Sequence, residues 1–424
     1  MQNIIVEKPY DFIPPYRGTF WPAVFRGLRI HDYYLRKSEG VVAYEVRHIE
    51  RLRASLAAGH SILITPNHPR TADPLAMGWL AVEAPCHFHV MASWHLFHGS
   101  WLYAWAIQAM GGFSVNREGV DRQAINTSIE LLAAGKRPLI IFPEGATSRT
   151  ADHLQAMLDG VAFIARAAAK KRAMQSPPGK VVVHPVAVKY FFGGDIRQVA
   201  DDVLTEIEHR LTWQPQRALP LLDRIIKTGS ALLSLKEIEY FGEPQAGEFA
   251  ARLERLIDRL LGPLEREIFG AVQNGAPVPR VRNLRARILP EMVTGKLAPG
   301  QRARRWQQLA DIYLAQQLAT YPPAYLTRPS VDRILEIIEK YEEDISDKAR
   351  RHGKLKVVLT IGEPIEVSPQ RRRGVNVDPL MVEIQQSLQA MIDHLAEESP
   401  LLAPLEATPP VAPEAVAELK PLAP

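Results

Sequence analysis

The sequence predicts an α/β protein, a mixed sheet flanked by helices and carrying a long helical insertion. Three observations predict it. Between residues 60 and 190, apolar strand-like runs alternate with helical patterns, which is how an α/β domain is written. Residues 200–350 then read as mostly helical, with prolines and charged faces. Finally "KVVLTIGEPIEV", 356–367, returns to strand character and is followed by helical spacing over 378–397.

The elements follow in order. Residues 1–40 form an N-terminal amphipathic segment. Within it, Phe20, Trp21, Val24, Phe25 and Leu28 share one helical stripe, while Arg26, Arg29, Arg36 and Lys37 lie off it. That is the pattern of an interfacial helix and equally of a helix packed on a domain. A domain over 41–195 places strands at 61–65, 87–92, 138–142 and 181–188, with helices at 74–83, 100–110, 121–134 and 154–172. Residues 196–353 are the helical insertion, and 354–398 supply a sheet-completing strand and a C-terminal helix. "EIEYFGEPQ", 237–245, shares Gly-Glu-Pro with the 356–367 strand but is too short to define a repeat. From Ser399 onward there are seven prolines in 26 residues, so 399–424 is expected to be a disordered Pro/Ala-rich tail.

Composition bounds the function. The 424 residues are 46% hydrophobic and 23% charged, ordinary for globular domains. The one cysteine, Cys86, cannot form an intramolecular disulfide, which suits a reducing cytoplasm. The N-terminus lacks the basic-then-apolar layout of a signal peptide. Residues 84–116 carry no charge apart from histidines, yet glycines and polar residues interrupt them; they read as core strand plus buried helix rather than a membrane span. Between Arg280 and Arg305 eight basic residues face a single acid, Glu291. Such a run suits anionic headgroups, coenzyme A phosphates or an acidic carrier protein, or is a solvated helix face. No recognisable nucleic-acid module accompanies it.

The motifs carry the chemistry. In "ITPNHPRTADPL", 64–75, His68 sits five residues before Asp73, in a turn between an apolar strand and a helix start. A turn can fold the imidazole onto the carboxylate, the usual way of building a general base; Asp73 as a plain helix N-cap is the competing reading. "GGFSVNRE" (111–118) ends a short strand near Arg117. "IIFPEGATSRT" (140–150) is an apolar strand running into Pro-Glu-Gly. "VVVHPVAVKY" (181–190) is a buried strand with Pro185 inside it, which must mark an edge or a bulge.

Together these segments resemble the glycerophospholipid acyltransferase family, typified by 1-acylglycerol-3-phosphate O-acyltransferase. Its Asn-His-x4-Asp block is matched by Asn67, His68 and Asp73. Its second block is matched from Gly112 to Arg117, its Phe-Pro-Glu-Gly block by Phe142, Pro143, Glu144 and Gly145, and its Pro-Val-Ala strand by Pro185, Val186 and Ala187. The resemblance covers roughly 40–190, and implies a glycerol-3-phosphate acyltransferase-like fold. One departure matters: Ala146 and Thr147 stand where the family usually has Thr and Arg. That arginine is implicated in binding the acceptor phosphate, so Arg149 is the substitute on offer.

The implied reaction is O-acyl transfer from acyl-CoA or acyl-carrier protein to a lysophospholipid or glycerol-phosphate-like acceptor, with no cofactor and no metal. A thioester is already activated, so the enzyme must mainly deprotonate and orient a hydroxyl, and histidine titrates in the right range. His68 is the expected base and Asp73 its orienting partner. Arg117, Glu144, Gly145 and Arg149 are expected at the acceptor, and backbone amides in 143–146 are candidate oxyanion donors. The expected location is cytoplasmic, peripheral on the inner face of an anionic membrane. Two other classes compete: a catalytically inactive lipid-binding scaffold on the same fold, and a thioester or ester hydrolase, for which no Gly-x-Ser-x-Gly elbow is present. His87, His89, His95 and His98 crowd one stretch, but without a Cys or Glu-rich partner they do not define a metal site.

Overall fold

The structure is a computed structural model describing residues 7–295, 297–321, 325–346, 348–370, 374 and 377–402. Lys296 of the basic run and 403–424 of the expected tail lie outside the described residues. Of that tail, Ser399 donates to Asp332 at 2.6 Å and Leu401 bridges to Ser330.

Helices α1 (Phe20–Gly27) and α2 (Ile30–Glu39) replace the single stripe read from the sequence. Arg29 adopts φ 49° between them and turns the chain. The stripe therefore splits: Trp21 and Phe25 pack on Trp105, while Phe20 and Leu28 remain 62% and 69% exposed.

The sheet is built from β1 (Val41–Arg47), β2 (Ser61–Pro66), β3 (His89–Ser93), β4 (Gly112–Val115), β5 (Leu139–Ile140), β6 (Val181–Phe192), β7 (Leu355–Ile361) and β8 (Ile365–Glu366). Its order is β1-β7-β6-β2-β5-β3-β4, with β8 also pairing β6. It is mixed: β6 pairs parallel with β2 and antiparallel with β7 and β8. Strand β1 was not anticipated, because an edge strand with half-exposed side chains has no clean alternation. Pro185 sits in an interior strand. The registers Val186↔Ile361 and Val183↔Ile365 leave three residues opposite two, a bulge-like break, so the missing N–H falls where the antiparallel ladder is interrupted.

Side chains alternate across the sheet, as a period of two requires. Ile62, Ile64, Val182, Val188 and Tyr190 enter one core; Leu63, Val181, Val183 and Ala187 enter the other. Between the strands run α3 (Ile49–Ala57), α4 (Asp73–Ala76), α5 (Gly78–Glu83), α6 (Trp101–Ala109), α7 (Arg122–Ala134) and α8 (Gly160–Ala173). Helix α8 starts later than the expected 154, because Glu144 takes the Gln155 amide and the Pro143 carbonyl takes that of Leu158. Helix α6 corrects the reading of 84–116 as strand plus buried helix. It lies on the surface, with Trp101 79% exposed; its sequence, apolar but for Gln108, carries little information about which face is covered.

After β6 come α9 (Ile196–Arg210), α10 (Leu221–Phe241), α11 (Phe249–Phe269), α12 (Pro277–Thr294), α13 (Pro299–Leu318) and α14 (Val331–Ser346), then β7, β8 and α15 (Pro379–Glu397). Helices α10–α13 own a third core: Leu253, Leu256, Ile257, Leu260, Leu261 and Leu264 form the inner stripe of α11. The α9–α10, α10–α11 and α11–α12 junctions repeat one device. A buried glutamate near the end of one helix accepts the amide of a glutamine eight residues on and pairs with an arginine in the next helix. The three clasps are Glu208–Gln216–Arg224, Glu237–Gln245–Arg252 and Glu265–Gln273–Arg280.

Most of the basic run is consumed internally. Arg280 binds Asp258 and Glu265, Arg285 binds Glu118, Arg302 binds Glu7, Arg304 binds Glu267 and Arg305 binds Glu291. Counting acids within the run misses those the fold brings from elsewhere.

Candidate active site

Strand β2 ends at Pro66, and Asn67 prolongs its pairing with β6. The Asn67 amide donates to the Val188 carbonyl at 3.0 Å and accepts the Val188 N–H at 2.6 Å, as a backbone unit would. This fixes where the chain turns and so where His68 points. His68 Nδ1 lies 2.8 Å from Asp73 Oδ2. A carboxylate can only accept, so Nδ1 carries the proton and Nε2 the lone pair. Nε2 has no protein partner among the described residues, and His68 lines the main cavity.

Asp73 is fully buried and is not the N-cap; Ala72 precedes the short α4. Its carboxylate turns back instead. Oδ2 also accepts the Arg70 amide at 2.9 Å, and Oδ1 accepts the Tyr190 hydroxyl at 2.6 Å. Tyr190 was missed by sequence reasoning. It is the last residue of the quoted "VVVHPVAVKY" on β6, and nothing in its spacing shows that it meets Asp73.

Phe142, Pro143, Glu144 and Gly145 form the floor of this loop. The Phe142 ring centroid stands 4.3 Å from that of His68. Glu144 is buried, and each of its oxygens accepts a backbone amide, Oε1 from His68 at 2.7 Å and Oε2 from Gln155 at 2.9 Å. Burial and the charge of Asp73 push its carboxyl up to about 7, against those two hydrogen bonds. Gly145 has φ +70°, and a Cβ there would meet Leu158 at 2.6 Å. Its amide is spent on the Phe142 carbonyl at 3.2 Å. Pro143 has none, so among the described residues the Glu144 and Ala146 amides are the ones in 143–146 without a protein acceptor.

Ser148 ties the loops together, its amide donating to the His68 carbonyl at 2.8 Å. Arg149, with φ 62°, lines the cavity but pairs with Glu343 at 2.6 Å. Arg70 pairs with Glu339 at 2.6 Å. Both acids come from α14, which lays one carboxylate stripe over these loops. Asp332 accepts the Phe192 amide at 2.7 Å and Glu336 the Ala151 amide at 3.1 Å. Behind them Lys189 and Asp152, both buried, pair at 2.5 Å.

The cavity measures about 1230 Å³. His68, Glu144, Gly145, Gly112, Arg117, Phe142 and Arg149 all line it, so the structure brings most of the expected residues to one chamber; Asn67, Asp73 and Pro185 stand behind its wall. Gly112 is required by space, since a Cβ would meet the Ile107 carbonyl at 2.7 Å. The remaining wall is largely apolar, including Met77, Met91, Leu96, Ile107, Met110, Leu158 and Ile164. The crowded histidines go separate ways. His89 contacts the Gly111 carbonyl, His98 meets the Trp94 ring edge to face, and His87 and the Ser93-bonded His95 line the cavity.

A carboxylate-held imidazole thus faces a largely apolar chamber at the strand ends of an α/β sheet. Residues 43–189 match the family model described as Acyltransferase. It is similar to the 1-acyl-sn-glycerol-3-phosphate acyltransferase of Streptococcus pneumoniae (strain ATCC BAA-255 / R6), 28% identical over 165 residues. The match covers 37% of this chain and 59% of that protein's length.

Proposed function

We propose that the chain is an O-acyltransferase that moves a fatty acyl group from an acyl thioester, of coenzyme A or of an acyl-carrier protein, to a hydroxyl of a lysophospholipid or glycerol-phosphate-like acceptor. The observation that carries this reading is the His68–Asp73 pair facing the apolar cavity. His68 Nε2 takes the proton of the acceptor hydroxyl as its oxygen attacks the thioester carbonyl carbon. Asp73 holds the ring and balances the imidazolium that forms. The tetrahedral intermediate places its oxyanion against the free backbone amides of Glu144 and Ala146. As it collapses, the C–S bond breaks, the ester carbonyl re-forms and the thiolate leaves with the proton from His68.

Glu144 supports the base by holding the His68 backbone, and Arg117 supports placement of the acceptor from the cavity wall. The acyl chain takes the apolar chamber. Phe25, Ile30, Tyr34, Tyr103 and Ile107 line that chamber, and on the same helices Phe20, Leu28, Tyr33, Trp101 and Leu102 are exposed. No helix among the described residues is long and apolar enough to cross a membrane. The reading is therefore a peripheral enzyme, at the inner face of an anionic membrane, that meets its lipid through α1, α2 and α6. An acceptor screen with labelled acyl thioesters and mass spectrometry of the products tests the proposal. New ester-linked lipid confirms it; release of free fatty acid alone makes the protein a hydrolase, and no turnover leaves it a lipid binder.

A further inference from the structure

We infer that the helical segment after β6 contributes part of the substrate-binding site: Arg282 and Arg285 of α12, with Arg117 from the loop after β4, form a phosphate subsite in the cavity wall. The inference rests on the acyl-transfer reading for the source of the phosphate, not for the existence of the subsite. Arg117, Arg282 and Arg285 all line the cavity, and Arg117 and Arg285 also line the smaller pocket beside it. All three guanidiniums lie near Glu118. Of the two carboxylates on the same loop, Glu118 pairs with Arg285, and Asp121 is turned to the amides of Asn116 and Ala124. Arg282 reaches only the Gly119 carbonyl, at 3.5 Å, and Arg117 has no ion-pair partner among the described residues. Arg285 Nε is buried with no acceptor.

Arg285 is half-buried while Arg117 and Arg282 are exposed, and these like charges repel along the cavity wall at a cost that an anion between them offsets. A neighbouring group registers that cost. Burial, with Arg117 and Arg285 nearby, pushes His95 down to about 4. A phosphate answers every one of these needs, because guanidinium forks match its oxygens and an orphaned N–H gains an acceptor. The alternative cations are already spoken for. Arg149, the residue nearest the family's usual arginine, is held by Glu343, and Arg70 by Glu339. Thus α14 neutralises one end of the cavity while α12 charges another.

The phosphate could belong to the acceptor headgroup or to the acyl donor. Calorimetric titration of the full chain with glycerol 3-phosphate and with coenzyme A separates them. In Arg282→Gln/Arg285→Gln, affinity for one probe should fall about tenfold or more. Loss confined to glycerol 3-phosphate assigns the acceptor; loss confined to coenzyme A assigns the donor. Arg282→Gln alone keeps the Arg285–Glu118 pair and should show a smaller loss of the same kind, in a protein whose melting temperature is unchanged. Affinities held within about twofold in the double variant, or lost only in Arg149→Gln, would overturn the subsite. So would a wild-type chain that binds neither probe while transferring acyl groups, an outcome that leaves the proposed activity standing. Phosphate binding lost with these arginines in a chain without transferase activity does the reverse.

Discussion

Tyr190 donates its hydroxyl to Asp73 Oδ1 at 2.6 Å, on the side of the carboxylate away from His68. The aspartate is thus gripped from both sides, and the imidazole inherits its orientation from a tyrosine on the central strand. Tyr190→Phe should keep the fold and lower kcat about 10-fold, with little change in KM, because a hydrogen bond to a charged group contributes about 1.5–3 kcal/mol. An unchanged kcat in the purified variant would remove Tyr190 from the positioning of the base.

His68→Ala should cost on the order of 10²–10⁴ in turnover, the range of general-base catalysis. Asp73→Asn should be severely impaired while still folded. Near-normal steady-state rates for His68→Ala would dismiss the mechanism.

Glu144 offers a pH test. Its folded pKa, about 7, lies above its ordinary value of 4.5. Between those pH values the native state holds a proton that the unfolded chain has released, so stability is full below 4.5 and is lost as pH rises to about 7. Melting curves of wild type and Glu144→Gln should therefore converge, or cross, over that window. Parallel curves across it would mean that the buried carboxyl titrates normally.

Membrane contact is expected to depend on side chains the fold leaves exposed. Phe20→Ser with Trp101→Ser should weaken vesicle sedimentation at every salt concentration, since the lost term is apolar. Trp21 and Phe25 pack on Trp105, so changing them tests folding as much as binding. Replacing Arg302, Arg304 and Arg305 by Gln should have a small, salt-sensitive effect, because Glu7, Glu267 and Glu291 already partner them. A dominant arginine effect would reverse this ranking.

Glu265 is fully buried against Arg280. Glu265→Ala leaves that guanidinium without its main partner and should destabilise the chain by about 3–5 kcal/mol. Chemical denaturation measures it; a loss under about 1 kcal/mol would mean that Asp258 suffices as partner.

What the sequence discloses is what lies close along the chain. The alternation over 60–190 and the apolar runs announce the layered sheet, and Asn67, His68 and Asp73 announce the turn, since five residues suffice to build it. Tyr190 was illegible because it meets Asp73 across 117 positions. Arg149 looked available because Glu343, 194 residues on, was not in view. Helix α6 was misplaced for a different reason: a helix apolar on nearly every side says little about which side is covered. The clasps escaped because "EIEYFGEPQ" and "EREIFGAVQ" share Glu-x-Glu-x-Phe-Gly-x-x-Gln, whereas "EHRLTWQPQ" keeps only the glutamate eight residues before the glutamine, and only the buried contacts reveal that those two matter.

Those clasps also set how the helical segment could change in length. Each joins one helix to the next and leaves no polar group for a more distant partner to satisfy. A hairpin could be duplicated or removed between two junctions with its wiring intact, much as a link is taken from a chain. Such a change would shift α12 and α13 relative to the sheet by one link, carrying the arginines of α12 with them. The reach of the segment toward the cavity would then be adjustable independently of the catalytic loops, so that substrate preference could drift while the base and its carboxylate stay untouched.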